Sequence, residues 1–477
     1  MNTEKEIELI KKELRDTQLV LQEAISMLDN VSNENEHLRN RVKELEDLLK
    51  KSQGNPPNKN STNSNLPPSS DLPRSDRRRS LRKKSNKPSG GQLGHKGHSL
   101  NFNPSPEEVI DFHVNCCGKC GKPLDRLKSK LVGSRQQIDI PKVIPKTTQY
   151  NIYETPCSCG CLNESEYPPE INAPMQYGPR VRSLIAYLSV RQYVPYNRIK
   201  ELLEHCYSLS ISEGTVYNTL ERYVKKTKGL YETIQCYLGQ STWLGSDESV
   251  IKVNGKNWYN WVWQNKKATY LCAKPSKRKD HIYEEFYHGF PQAILNSDQY
   301  AAQLGTPAKG HQICYPHIYR RLVYLQEVEK NNWLVQIKSL LRRAEYLKSK
   351  KAQRSRRDKA AMKLEEDLNV LLLLELDEQK DKESIILQKA LKRDRHAIFT
   401  FLYYAEVPPD NNSSEQAIRN SKVKMKISGF FKSQQQTYAQ LRSITDTLIK
   451  NNQPILQTLY NIELGMDVSL GWSQVPE

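Results

Sequence analysis

The sequence predicts an α+β multidomain chain. Three observations point there: a long heptad pattern at the N-terminus, two cysteine pairs flanking an alternating segment, and a change to period two at Thr242 that gives way to strand–helix alternation. At 477 residues the chain exceeds the roughly 100–200 residues of one domain. Lys and Arg number 72 against 54 Asp and Glu, a formal net charge of +18. That balance favours a polyanionic partner, nucleic acid before an acidic membrane. There is no apolar run of about 18 residues, so no membrane span is expected. The opening MNTEKEIELIKKELRD lacks the apolar core of a secretory leader. The expected location is therefore the cytoplasm. Ten cysteines in a reducing compartment argue for metal ligands or buried thiols over a disulfide framework.

Residues 1–51 carry the heptad. One seam reads Ile7, Leu14, Leu21, Leu28, Asn35, Val42, Leu49, and the other Ile10, Thr17, Ala24, Val31, Leu38, Leu45. Sustained a/d spacing with charged flanks argues for a coiled coil, hence a homo-oligomer, with Asn35 as a polar register residue. Residues 52–105 begin with an Asn/Ser/Pro-rich linker that cannot bury a core. They continue with a basic arm containing Arg74, Arg77, Arg78, Arg79, Arg82, Lys83 and Lys84. An arm of this kind lies along phosphates or in a minor groove.

Residues 106–170 hold Cys117-x-x-Cys120 and Cys157-x-Cys159 on either side of the alternating QQIDIPKVIPKTTQYNIYET. Two cysteine pairs flanking a short sheet are the layout of a zinc ribbon with one structural Zn²⁺. The surplus Cys116 and Cys161 leave the choice of ligands open. Residues 171–238 read as helical, with a helix–turn–helix over 197–226. There Ser212 is placed to cap the second helix, and Val216, Leu220 and Val224 form one face.

Residues 239–327 and 402–451 form the predicted core. WLGSDESVIKVNG, NWYNWVWQN and ATYLCAKPS read as three consecutive strands, the first two joined by a tight Asn-Gly turn. A helix, a strand ending at Asp298, and another ending near Cys314 follow. Three antiparallel strands and then strand–helix alternation is the order of a ribonuclease-H-like fold, which sets the first and fourth strands side by side. Residues 328–401 are charged and helical and read as an insertion into that core; 452–477 read as a C-terminal tail.

The candidate acids are Asp247, Asp298 and Glu415, with Glu248 and Asp410 as alternatives to the first and last. Glu248 is expected to face away from Asp247 because strand side chains alternate. Asn411 or Asn412 is placed to cap the helix carrying Glu415. Three carboxylates suffice to clamp two divalent cations about 3.5–4 Å apart for in-line displacement at phosphorus. Oxygen ligands and a phosphate substrate favour Mg²⁺. His317, Arg320, Arg321, Arg419, Lys422 and Lys424 are the candidate phosphate contacts near these acids.

With these motifs in view, the chain resembles the DDE transposases of the insertion-sequence-66 family. The resemblance runs through PPSSD, GGQLGHKGHSL, the cysteine segment, YLSVRQYVPYNRIKELL and SDESVIKVNGKNWYNWV. It is most specific in HQICYPHIYRRL and NNSSEQAIRNSKVKMKISGFF. It departs from the family's usual residues at Tyr315, Ser414 and Gln416. The resemblance implies Mg²⁺-dependent DNA strand cleavage and strand transfer at an element's terminal repeats, with Asp247, Asp298 and Glu415 as the acids and small accessory proteins as further partners. Two other readings fit the residues alone: a non-enzymatic coiled-coil, zinc-ribbon DNA-binding regulator, and a ribonuclease-H-like nuclease without strand transfer.

Overall fold

The computed structural model describes residues 35, 38, 41, 42, 94–97, 100–350 and 354–472. Most of the heptad and all of the basic arm (Arg74, Arg77, Arg78, Arg79, Arg82, Lys83 and Lys84) lie outside the described residues. The four described heptad positions are helical. The chain divides into two compact units. The larger comprises Arg78–Tyr319, Gln336–Glu375 and Ile385–Glu477; the smaller comprises Arg320–Val335 and Leu376–Ser384 with Met1–Arg77.

Between 101 and 170 no residue is buried. Of the alternating segment, only its end becomes a strand: β1 (Glu154–Pro156) pairs antiparallel with β2 (Leu162–Glu164) and presents Cys157, Cys159 and Cys161 at the turn. The short sheet expected between the cysteine pairs does not extend further. Alternation alone does not make a strand where no second layer covers the apolar face.

The helical domain contains α1 (Pro179–Ala186), a π-helical turn (Tyr187–Arg191), α2 (Tyr196–Tyr207), α3 (Glu213–Lys226) and α4 (Lys228–Gly239). Ser212 caps α3 as expected, its Oγ accepting from Thr215 N at 3.0 Å. Val216, Leu220 and Tyr223 pack with Ile185, Ile199 and Leu203. Tyr223, more than Val224, completes that face.

The core is a five-stranded sheet in the order β5-β4-β3-β6-β7. Strands β3 (Trp243–Val253), β4 (Lys256–Gln264) and β5 (Thr269–Lys274) form an antiparallel meander. The β3–β4 turn is Asn254-Gly255, both at positive φ, the backbone a two-residue hairpin requires. After α5 (Asp280–Glu285), β6 (Phe290–Ser297) inserts parallel to β3, in the register Leu244↔Leu295 and Gly245↔Asn296. A short helix, α6 (Ala301–Leu304), leads to β7 (Ala308–Ile313), parallel to β6. First and fourth strands are therefore neighbours, as the ribonuclease-H-like order requires. Stacked Trp261 and Trp263, with Tyr270, Phe286 and Phe290, fill one side of the sheet.

The chain continues through α7 (Tyr315–Val328), α8 (Asn332–Ser349), α9 (Arg354–Leu373), α10 (Lys382–Arg393), α11 (Thr400–Tyr403), α12 (Asn412–Ser428), α13 (Gln435–Lys450) and α14 (Ile455–Glu463). Within the smaller unit, the Glu329 carboxylate accepts from the amides of Glu383 and Ser384. Among the described residues no helix is long and apolar enough to cross a membrane.

Two elements differ from their sequence reading. The last core helix, whose mix of apolar and polar residues over 437–451 reads as amphipathic, is buried at every position from Thr437 to Leu448. Its polar residues finish the sheet edge: Thr447 Oγ1, Ser443 Oγ and Gln436 Oε1 accept from the outward amides of Thr269, Leu271 and Ala273 in β5. An edge strand capped in this way is closed to pairing with another chain. Residues 455–463, read as part of a tail, instead form α14, which packs Leu459 and Ile462 into the helical-domain core.

Candidate active site

Asp247 lies on β3 beyond the last residue paired with β6, and Asp298 follows the last residue of β6. Parallel pairing of the two strands therefore delivers both carboxylates to the same end of the sheet. Glu415 comes from the first turn of α12. Asn411 is the residue that precedes this helix, and its carbonyl accepts from the amides of Ser414 and Glu415.

The approach of α12 depends on Gly245. A Cβ there would collide with Ser414 Oγ and lie 2.7 Å from Gln264 Nε2 and 2.9 Å from Asn411 Oδ1. Two asparagines then fasten the helix start to the strand ends. Asn296 Nδ2 donates to the carbonyls of Pro408 and Asp410 at 2.8 and 2.9 Å. Asn411 Nδ2 donates to Ser246 O at 2.6 Å. Gly245→Ala should therefore cost about 1–3 kcal/mol, the usual range for overpacking. It should also push Glu415 out of place, so divalent-cation affinity should fall more than stability does. Chemical denaturation beside a Mg²⁺ titration checks this, and an unaltered affinity would mean that Gly245 does not set the position of Glu415.

Two of the three acids, Asp298 and Glu415, meet at His317, in the first turn of α7. His317 Nδ1 is 2.8 Å from Asp298 Oδ2, and its Nε2 is 3.4 Å from Glu415 Oε1. The imidazole thus sits between two of the acids; on sequence it was expected to contact phosphate. The carboxyl of Asp247 is held well above the usual carboxylate range, first by burial, then by the charges of Asp298, Glu248 and Glu415. A buried carboxyl whose ionisation neighbouring acids disfavour makes a site that favours cations. Asp298 Oδ1 is buried without a hydrogen-bond partner among the described residues. An all-oxygen donor set with an unsatisfied carboxylate oxygen fits a hard divalent cation such as Mg²⁺.

The alternatives fall away from this centre. Glu248 accepts from Lys277 Nζ at 2.7 Å and from Gln303 Nε2 at 2.8 Å, as alternation along β3 predicts. Asp410 Oδ1 accepts from Asn412 N, a local turn role. Along α12, Arg419 and Lys422 are exposed. Lys424 is not a surface cation: it is buried, its Nζ donates to Ser189 O in the π-helical turn, and burial lowers it to about 8. It anchors α12 to the helical domain, because the helical turn that exposes Lys422 rotates Lys424 inward. Arg320 and Arg321 lie further along α7, within the smaller unit. Arg321 is half-buried, and burial lowers its pKa against the charge of Glu383.

The four expected zinc ligands stand in two separate knuckles. Cys117 N donates to Lys122 O and Gly121 N to Cys117 O. The Cys117 thiol is lowered by the amides of Cys120 and Lys119, and that of Cys159 first by the Cys161 amide. Amides turned toward thiols in this way favour thiolates. The two knuckles are not gathered into one cluster. Among the described residues the group of three or more metal-capable side chains that does gather is Asp298, Cys314 and His317.

Gly245, Asn296 and Cys314 were not singled out in the sequence as site residues, and Asn411 only as a helix cap. Only the Cys-x-x-His spacing of Cys314 and His317 could have been noticed. The model of the transposase IS66 family matches residues 174–439, more than half of the chain. The match spans all three acids and the helical domain. No curated protein matches the chain.

Proposed function

Since the chain belongs to the transposase IS66 family, we propose that it cuts and joins DNA at the ends of an insertion sequence, with Asp247, Asp298 and Glu415 holding two Mg²⁺ ions. The observation that carries this reading is that Asp298 and Glu415, from the end of β6 and from α12, share one imidazole, while Asp247 on β3 is buried within reach of their charges. When bound, the two ions activate the attacking oxygen and stabilise the leaving one. The chain's own residues do the positioning. Gly245 lets Glu415 approach, Asn296 and Asn411 fix the loop before α12, and His317 orients the carboxylates of Asp298 and Glu415. Exposed Arg419 and Lys422 hold the phosphate backbone, with Arg320 and Arg321 on α7 as further contacts. Cys117, Cys120, Cys157 and Cys159 are the candidate ligands of one structural Zn²⁺, which would have to draw the two separate knuckles together. The basic arm adds non-specific affinity for the terminal repeats and target DNA, the coiled coil joins protomers, and small element-encoded proteins are candidate partners.

The test uses pre-cleaved element-end duplexes, target DNA and Mg²⁺. The expected result is covalent joining of ends to target, lost in Asp298→Ala while the variant still shifts the same duplex in a gel. Cleavage without joining would favour a nuclease. Sequence-specific binding without Mg²⁺-dependent nicking, equal in wild type and variant, would favour a regulator.

A further inference from the structure

Cys314 is the one side chain at this centre that the proposed chemistry does not use. It follows β7 directly, is fully buried, and its Sγ accepts from Asn411 N at 3.2 Å. His317 is three residues on, in the first turn of α7, so the pair forms a Cys-x-x-His step at a helix start. Such spacing puts both side chains on one side of the turn. One ligand atom each from Asp298, Cys314 and His317 lies within 4.8 Å of the others. In a tetrahedral zinc site, bonds of about 2.0–2.3 Å put ligand atoms about 3.3–3.6 Å apart, a contraction that small side-chain rotations supply.

We propose that Asp298, Cys314 and His317 form a second metal site, selective for Zn²⁺ and similar softer cations, which overlaps the Mg²⁺ site and excludes it. The donor set is one carboxylate oxygen, one thiolate sulfur and one imidazole nitrogen. Sulfur and nitrogen ligands select zinc-like ions over Mg²⁺, which takes oxygen ligands. His317 Nδ1, now bonded to Asp298, becomes the ligand atom. Its Nε2 then donates to Glu415, the carboxylate–histidine–metal relay that orients ligating imidazoles. The thiol proton and the Nδ1 proton leave to solvent as the ion binds. Two of the three acids are thereby engaged: Asp298 as a ligand, and Glu415 as the partner of the ligating histidine. Asp247 alone cannot hold the Mg²⁺ pair. Zinc binding follows from the geometry alone; its consequence for cleavage rests on the proposed function.

The test titrates the full-length protein with Co²⁺ as a spectroscopic probe and then with Zn²⁺ as competitor. Wild type is compared with Cys314→Ser, which keeps the size and the acceptor for Asn411, and with His317→Ala. The cysteine knuckles contribute equally to all three proteins, so the difference spectra isolate the new site. Wild type should bind one more equivalent than either variant, with a thiolate-to-cobalt band that both lack and an affinity at least about a hundredfold higher at this site. Zn²⁺ should also inhibit Mg²⁺-dependent nicking, relative to each protein's own zinc-free rate, more strongly in wild type than in Cys314→Ser. Equal stoichiometry and equal spectra in the three proteins would overturn the site. A cobalt difference in a protein that never nicks DNA with Mg²⁺ would keep the site and discard the transposase reading.

Discussion

Asp247→Asn is expected to abolish strand cleavage and, in metal-free buffer near pH 8, to raise the melting temperature. The two effects share one cause. Burial, and then the charges of Asp298, Glu248 and Glu415, hold the Asp247 carboxyl well above its ordinary range. A carboxyl raised in the folded state contributes stability that is fully present below its unfolded pKa, about 3.9, and lost as pH rises through the folded value. Between pH 4 and pH 8 the wild-type protein therefore loses stability on this account. Asn never ionises, and its Oδ1 can still accept from Glu248 N, as Asp247 Oδ1 does at 2.8 Å. The variant's advantage should therefore shrink as pH falls toward 4. Added Mg²⁺ should reverse the order, since a bound ion stabilises only the protein that binds it. Cleavage should fall by about 10³-fold or more, the equivalent of losing several kcal/mol of metal-held charge stabilisation at about 1.4 kcal/mol per decade. Thermal melts at two pH values, with and without Mg²⁺, read this out. A variant that melts below wild type in metal-free buffer at pH 8 would mean that Asp247 is structural and carries no electrostatic strain.

That strain was legible in the sequence only as a set of acids at strand ends. Period two from Thr242, the Asn254-Gly255 turn and the apolar run into Asp298 specify strands, and right-handed parallel crossovers leave few ways to order them. Asp247 and Asp298 could therefore be paired before any coordinate was known. The features that make the acids a site were not legible. Gly245 reads as an ordinary strand glycine until α12 is seen against it. Asn296 reads as a strand-end residue and Asn411 as a helix cap, whereas both clasp the strand ends to the start of α12. Lys424 reads as one more surface lysine, although helix geometry turns it toward Ser189. Helix α13 reads as amphipathic because its Ser, Thr and Gln look like a solvent face, whereas they cap the β5 edge. In each case the deciding neighbour lies far away in the chain, and local pattern carries no information about it. The cysteine segment shows the converse: a strong alternation over 136–155 that yields a strand only at 154–156, because none of the described residues covers its apolar face.

Glu463→Ala should be the most destabilising single change outside the sheet, although it lies far in sequence from the acids. The Glu463 side chain is fully buried, and its Oε2 receives Arg182 Nε at 2.7 Å, Arg222 Nε at 3.2 Å and Lys226 Nζ at 3.5 Å. Lys226 Nζ also donates to Glu463 O at 2.5 Å, and Tyr223 OH donates to Leu459 O. One residue of α14 thus ties α1 to α3, the second helix of the predicted helix–turn–helix. Replacing a buried pair with packed apolar groups can be neutral, but removing one partner leaves a charge stranded, typically at about 3–5 kcal/mol. Most of that cost should come from Arg182, whose side chain is 11% exposed; Arg222 and Lys226, at 34% and 26%, recover part of their hydration. Glu463→Gln, which keeps an acceptor, should lose less, and truncation before Pro454 should lose at least as much as Glu463→Ala. Because α3 would lose its tether while the sheet keeps its own core, the helical domain should unfold at temperatures where the β3–β7 sheet remains folded. Denaturant unfolding followed separately by far-ultraviolet circular dichroism and by the fluorescence of Trp261 and Trp263 should resolve an early helical transition in the variant. Coincident transitions at wild-type midpoints would show that α14 is the dispensable tail its sequence suggests.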